Sequence, residues 1–184
     1  MLGLQPAPGQ IDSPLSAEEQ AWLERNAARR ARAMAYSQIQ GTKPQTLAYG
    51  LTDSPVGLAA WILEKFHGWT IPGSTSPPPF PLDRLLTNVM LYWFGGINAA
   101  NWLYVSLLEG GARQLPPGLR VELPAALLLM PEDLSLPAPR SWAERIYTRL
   151  ERFNVAPAGG HFPAFQHPDL LIQDVREFFR GKRA

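Results

Sequence analysis

The stretch Ala125-Ala126-Leu127-Leu128-Leu129-Met130-Pro131-Glu132-Asp133 is a short continuous apolar run closed by a proline and an acidic pair. A run of this length bounded by prolines reads as a buried strand. Downstream, Ser141 to about Leu150 reads as a helix and Glu151 to Ala156 as a second strand. Ala158-Gly159-Gly160-His161 reads as a loop, and Pro168 to Arg180 as an amphipathic helix closed by Gly181. The tail is thus β-α-β-α, with an acidic pair after the first strand and a histidine after the second. Loops at the carboxyl ends of neighbouring strands can be brought together. Imidazole works as a base only when held in one tautomer, and a carboxylate on the other ring nitrogen does that while stabilising the imidazolium. Glu132, Asp133 and His161 are therefore candidates for base chemistry. The spacing alone is weak, since a loop histidine is more often structural and an acidic pair before a helix is more often a cap.

Upstream the sequence is mainly helical. Ser16-Ala17-Glu18-Glu19 has the capping-box pattern, in which Ser16 caps the backbone and Glu19 reaches back. The helix it starts runs to about Ile39, with Trp22, Leu23 and Met34 as candidates for burial and Arg25, Arg29, Arg30 and Arg32 as a solvated face. Thr42 to Thr46 interrupts it. Asp53 or Ser54 can cap the next helix, with Pro55 in its first turn, where the missing N–H costs nothing. That helix, Val56 to about Phe66, is apolar over most of its circumference, which predicts thorough burial. Thr70 to Pro81, with Pro77-Pro78-Pro79, reads as a loop. A further helical run covers Leu82 to Leu108, interrupted at Gly95-Gly96 and stopped by Gly110-Gly111. The domain organisation expected is an irregular lead-in over 1–15, a helical segment over 16–115 and a β-containing segment over 116–184.

Composition narrows the function classes. The chain has 184 residues, with 46% apolar, no cysteine, 19 prolines and 15 glycines. The 17 basic and 16 acidic residues leave a net charge of +1, which gives no electrostatic footprint for nucleic acid. No run of 18 or more apolar residues exists, so no membrane partner is expected. Met1 to Gln10 lacks a basic region and an apolar core, so no secretory leader is expected. Absence of cysteine removes disulfides, thiolate metal sites and a thiol nucleophile, and fits a reducing, cytoplasmic setting.

Three stretches carry more. The first runs from Thr42-Lys43-Pro44-Gln45-Thr46 through Leu51-Thr52-Asp53-Ser54-Pro55-Val56-Gly57-Leu58-Ala59-Ala60-Trp61-Ile62. The second is Leu85-Leu86-Thr87-Asn88-Val89-Met90-Leu91-Tyr92-Trp93-Phe94. The third is Gly159-Gly160-His161-Phe162-Pro163-Ala164-Phe165, followed by Pro168-Asp169-Leu170-Leu171. In wording, order and spacing they resemble the epoxide hydrolase family of the α/β-hydrolases, closest to its microsomal-type branch. The resemblance spans roughly residues 16 to 181.

The resemblance implies an incomplete α/β-hydrolase fold, an α/β class in which a mainly helical lid precedes the last β-α-β-α part of the core. It implies that an aspartate attacks an epoxide carbon to form an ester, that two lid tyrosines hold and protonate the oxygen, and that an acid-oriented histidine activates water to release the diol. Tyr36, in Ala35-Tyr36-Ser37-Gln38-Ile39-Gln40, matches the first tyrosine. Tyr104, in Asn101-Trp102-Leu103-Tyr104, matches the second, although the segment after Trp93 is one residue short. His161 matches the base and Asp133 the orienting acid, with Glu132 one residue away as the alternative. A phenol keeps its proton near neutral pH, its usual pKa being about 10. Tyr49, Tyr92 and Tyr147 are expected to pack, and His67 and His167 to lie at the surface or at a cap.

The family's nucleophile and oxyanion hole lie upstream of the matching segment. Asp53 does not replace that nucleophile, because an elbow needs small neighbours and Leu51 and Pro55 flank it at two residues. The string His67-Gly68-Trp69-Thr70-Ile71-Pro72-Gly73-Ser74 echoes the oxyanion motif but carries two extra residues and follows the wrong helix. Ala158 stands where a polar residue is common, and Pro163 replaces a small one. The expected function is the C-terminal portion of an epoxide hydrolase. The alternative is a non-catalytic or decayed fragment acting as a helical assembly module. The expected partners are a small hydrophobic epoxide and either an N-terminal half chain or a second copy, with no cofactor and no metal.

Overall fold

The first helix starts where the capping-box pattern puts it. Glu19 N–H donates to Ser16 Oγ at 3.2 Å, and Ser16 N–H donates to Glu19 Oε2 at 2.9 Å. The computed structural model describes residues 14–71, 78–109, 118 and 120–182. The expected lead-in up to residue 13, the middle of the proline-rich loop at 72–77 and the Gly110-Gly111 stop lie outside the described residues. The described residues divide into two compact units, split between Arg30 and Ala31 and again between Arg113 and Gln114.

The unit formed by residues 14–30 and the C-terminal residues contains most of α1 (Ala17–Ala33), β1 (Ala125–Leu129), α7 (Arg140–Ile146), β2 (Leu150–Val155), α8 (Pro163–Gln166) and α9 (Pro168–Phe179). Trp22 of α1 meets Trp142 edge-on at 4.8 Å, and its Nε1 donates to Pro137 O at 2.7 Å. Asn26 Oδ1 accepts Leu136 N–H at 2.9 Å, and Arg30 donates to Ser135 Oγ at 2.8 Å, so Arg30 leaves the solvated face expected for it. Buried Glu19 accepts from Ser141 Oγ at 2.7 Å and from Arg145 at 3.2 Å. The Ser141 hydroxyl, the Ser16 amide and the Arg145 guanidinium outweigh the cost of burial and hold its carboxyl below the usual range. β1 and β2 pair in parallel, Ala126 opposite Arg152 through Leu129 opposite Val155. The apolar run of β1 is half-buried rather than buried, because such a strand needs cover on both faces and the described residues supply two strands with α9 against β1.

The other unit is helical: α2 (Ala35–Thr42), α3 (Pro44–Asp53), α4 (Pro55–Gly68), α5 (Leu82–Gly95) and α6 (Ile97–Glu109). The helix expected to reach Ile39 unbroken is interrupted at Met34 (φ −102°), whose carbonyl starts α2 by accepting from Ser37 and Gln38. Pro44 does not end helical structure as expected. It opens α3, because the first helical turn needs no N–H there. Ser54, not Asp53, caps α4, accepting Gly57 N–H at 3.0 Å. Gly96 turns the chain between α5 and α6 at φ +83°, a conformation open to glycine. Leu51, Leu58, Val89 and Ile97 form the core. Thorough burial of α4 is not observed: Leu58 and Phe66 are buried, while Val56 is 77% exposed, because α3 and α5 cover only part of its apolar circumference. Tyr92 packs on this core, but Tyr49 does not pack as expected and lies exposed on α3.

Candidate active site

Two groups of predicted residues come together, one in each unit. In the β-containing unit, parallel pairing sends the loops after β1 and β2 off the same sheet edge. Asp133 Oδ1 lies 2.7 Å from His161 Nδ1 and also accepts Leu134 N–H at 2.6 Å. The Asp133 side chain is 14% exposed and that of His161 33%. With Nδ1–H donated to the carboxylate, the lone pair sits on Nε2, the tautomer required for taking a proton from water.

Glu132 does a different job. Its carboxylate accepts Gly159 N–H at 3.2 Å, and its own N–H donates to Gly159 O at 3.0 Å. This two-way link ties the acid loop to the histidine loop. Gly159 sits at φ +118°, and a Cβ there would lie 3.0 Å from His167 Cδ2 and 3.2 Å from Met130 Sδ. Gly160 N–H donates to Gln166 Oε1 at 2.9 Å. Both glycines are buried, so the backbone before His161 is tethered at successive residues. His167 holds the position ahead of α9, as a cap residue should, and His67 lies in the last turn of α4.

In the helical unit, Tyr36 on α2 and Tyr104 on α6 meet edge-to-face with ring centroids 5.5 Å apart. Trp69 lies against Tyr36 at 4.8 Å. The Lys65 ammonium stands 5.1 Å from the Tyr36 ring, 4.6 Å from Trp61 and 5.6 Å from Trp69, and pairs with Glu64. Cation–π attraction of this kind holds a ring as well as a charge. Sequence reasoning missed Lys65 and Trp69 as partners of Tyr36. The signal was present, since Trp61, Lys65 and Trp69 recur every four residues, the first two on one face of α4 and the third at its C-cap.

Asp53 is the last residue of α3, and the oxyanion-like string begins as the end of α4, with residues 72–74 outside the described part. Asp53 therefore sits at a helix end and not on a strand-to-helix elbow. Among the described residues there is no metal-ligating cluster and no helix long and apolar enough to cross a membrane.

No family model matches the chain. Individual proteins do. The chain is 39% identical over 151 residues to epoxide hydrolase 1 of Sus scrofa, covering 78% of this chain and 33% of that protein. The chain is a homologue of part of the epoxide hydrolases. It is 37% identical over 150 residues to the juvenile hormone epoxide hydrolase of Bombyx mori, covering 77% of this chain and 32% of that one. The solved epoxide hydrolase of Aspergillus niger superposes with a TM-score of 0.73 at 30% identity, covering 95% of this chain and 43% of that one. The chain thus spans about a third of the curated epoxide hydrolases it matches, and its mainly helical structure with a small sheet is part of an α/β-hydrolase fold.

Proposed function

We propose that this chain is the C-terminal portion of an epoxide hydrolase and supplies two of the three functional groups needed to turn an epoxide into a vicinal diol. The aspartate nucleophile comes from a segment other than these 184 residues. Its carboxylate attacks a ring carbon, the ring C–O bond breaks, and the developing alkoxide takes a proton from Tyr36 or Tyr104, acting as lid donors. His161 then removes a proton from water through Nε2 while the hydroxide adds to the ester carbonyl. The ester bond breaks, the diol leaves and the aspartate is regenerated. The imidazolium proton restores the phenol through solvent, so the net change is addition of one water. Asp133 fixes the imidazole tautomer and stabilises its cation. Splitting one displacement into ester formation and hydrolysis is ordinary covalent catalysis.

The observation that carries this reading is the 2.7 Å contact between Asp133 Oδ1 and His161 Nδ1. The test combines the chain with a nucleophile-bearing segment and offers styrene oxide. Diol formation that disappears in His161→Gln supports the reading, and no diol from the unsubstituted mixture overturns it.

A further inference from the structure

The two phenols sit on different helices, so their spacing depends on how α2 is seated on α6. α2 packs against α6. Tyr36 and Gln40 are four residues apart on α2, and Asn101 and Tyr104 are three apart on α6, so each tyrosine shares a helix face with an amide. The two amides meet. Gln40 Nε2 donates to Asn101 Oδ1 at 2.8 Å, and Asn101 Nδ2 donates onward to Pro44 O at 3.4 Å. Gln40 is 4% exposed and Asn101 0%. Beside them, a Cβ on Gly41 would stand 3.3 Å from the carbonyl oxygen of Tyr104 and 3.1 Å from Leu108 Cδ2.

Burying two amides is costly unless they are paired. An apolar pair would join the helices without this cost, but apolar contact is non-directional and tolerates sliding. A buried hydrogen-bonded pair penalises every other register, which is the best-attested use of such groups. Sliding by one residue moves a helix by about 1.5 Å and turns the contact face by about 100°, enough to separate the rings. We propose that Gln40 and Asn101, with the close seat of Gly41, are positioning residues for Tyr36 and Tyr104. The catalytic meaning rests on the reading that these phenols are the epoxide's proton donors, whereas the clasp itself does not.

The test uses the full chain. Photo-oxidation with a ruthenium tris-bipyridine complex and persulfate couples neighbouring tyrosines into fluorescent dityrosine, and peptide mapping identifies the Tyr36–Tyr104 product. In Gln40→Met the yield of that product is expected to fall about tenfold, the population change that corresponds to losing one buried hydrogen bond, with far-UV circular dichroism retained. Gly41→Ala keeps both amides and gains helix propensity, so it decides the matter if Gln40→Met does not fold, and it is expected to move the yield the same way. Unchanged yield in folded variants overturns the proposal. In a second arm, the chain plus a nucleophile-bearing segment turns over styrene oxide, and Gln40→Met is expected to lower kcat more than it raises KM. Crosslink loss with unchanged kcat overturns the positioning role. No turnover with the unsubstituted chain counts against the functional reading alone, because the crosslinking arm still decides the clasp.

Discussion

At the scale of single residues, two adjacent acids are separated by which hydrogen bonds they make. Asp133 holds the imidazole at 2.7 Å, and Glu132 holds the Gly159 amide at 3.2 Å. Their amide variants should therefore fail differently. Under the proposed function, Asp133→Asn presents a donor where an acceptor is needed, and ester hydrolysis by the chain with its nucleophile-bearing segment should slow by on the order of a thousand- to ten-thousand-fold. Intact-mass analysis of the nucleophile-bearing segment would then show the trapped alkyl adduct, and its absence counts against the assignment. Glu132→Gln keeps the tautomer at His161 and should instead cost about 1 kcal/mol of stability through a weakened hydrogen bond, with no adduct. Gly159 allows a third check. Gly159→Ala combines a left-handed φ of +118° with a contact of 3.0 Å to His167, so about 1–3 kcal/mol of destabilisation is expected in thermal melts.

At the scale of elements, caps carry a share of the stability that can be isolated. Ser54→Ala removes the acceptor for Gly57 N–H and should lower stability by about 1 kcal/mol. The capping box of α1 adds a pH dependence. Glu19 has a lowered pKa in the folded chain, so its contribution is fully present above the ordinary carboxylate value of 4.5. It is lost as pH falls from there through the folded value. Denaturant midpoints measured below about pH 4.5 should drop in the unsubstituted chain and drop less in Glu19→Gln; parallel curves would refute this. These elements were legible because their signals are local: Ser16 with Glu19, Ser54 with Pro55, Gly95-Gly96, and the β-α-β-α alternation around Asp133 and His161. Other features were not. The stop at Met34 carries no proline or glycine, and the start of α3 at Pro44 looks like a break to any rule that weighs proline without its position. The Gln40–Asn101 contact joins residues far apart in sequence and leaves no periodic trace, whereas Asp133 and His161 were reachable because each follows a recognisable strand.

At the scale of the whole molecule, the incomplete burial of α4 and of β1 has one cause. α4 is apolar nearly all round and β1 is apolar throughout, a patterning that suits cover on several sides. In the described residues Val56 is 77% exposed and Phe94 82%, Leu91 also stands in solvent, and the β1–β2 pair has no third strand. Apolar patches and strand edges left open in this way favour association. The chain spans about a third of the epoxide hydrolases it matches, so a complementary segment is the natural cover. The chain by itself is accordingly expected to self-associate at micromolar concentration in sedimentation velocity. Adding the nucleophile-bearing segment should shift it to one defined complex and raise its melting temperature, since a ligand that binds only the folded state stabilises it by mass action. A monodisperse monomer with a cooperative melt, unchanged by that segment, would mean that the exposed faces of α4, α5 and β1 need no cover. The reading of this chain as part of a larger catalytic core would then fail together with that prediction.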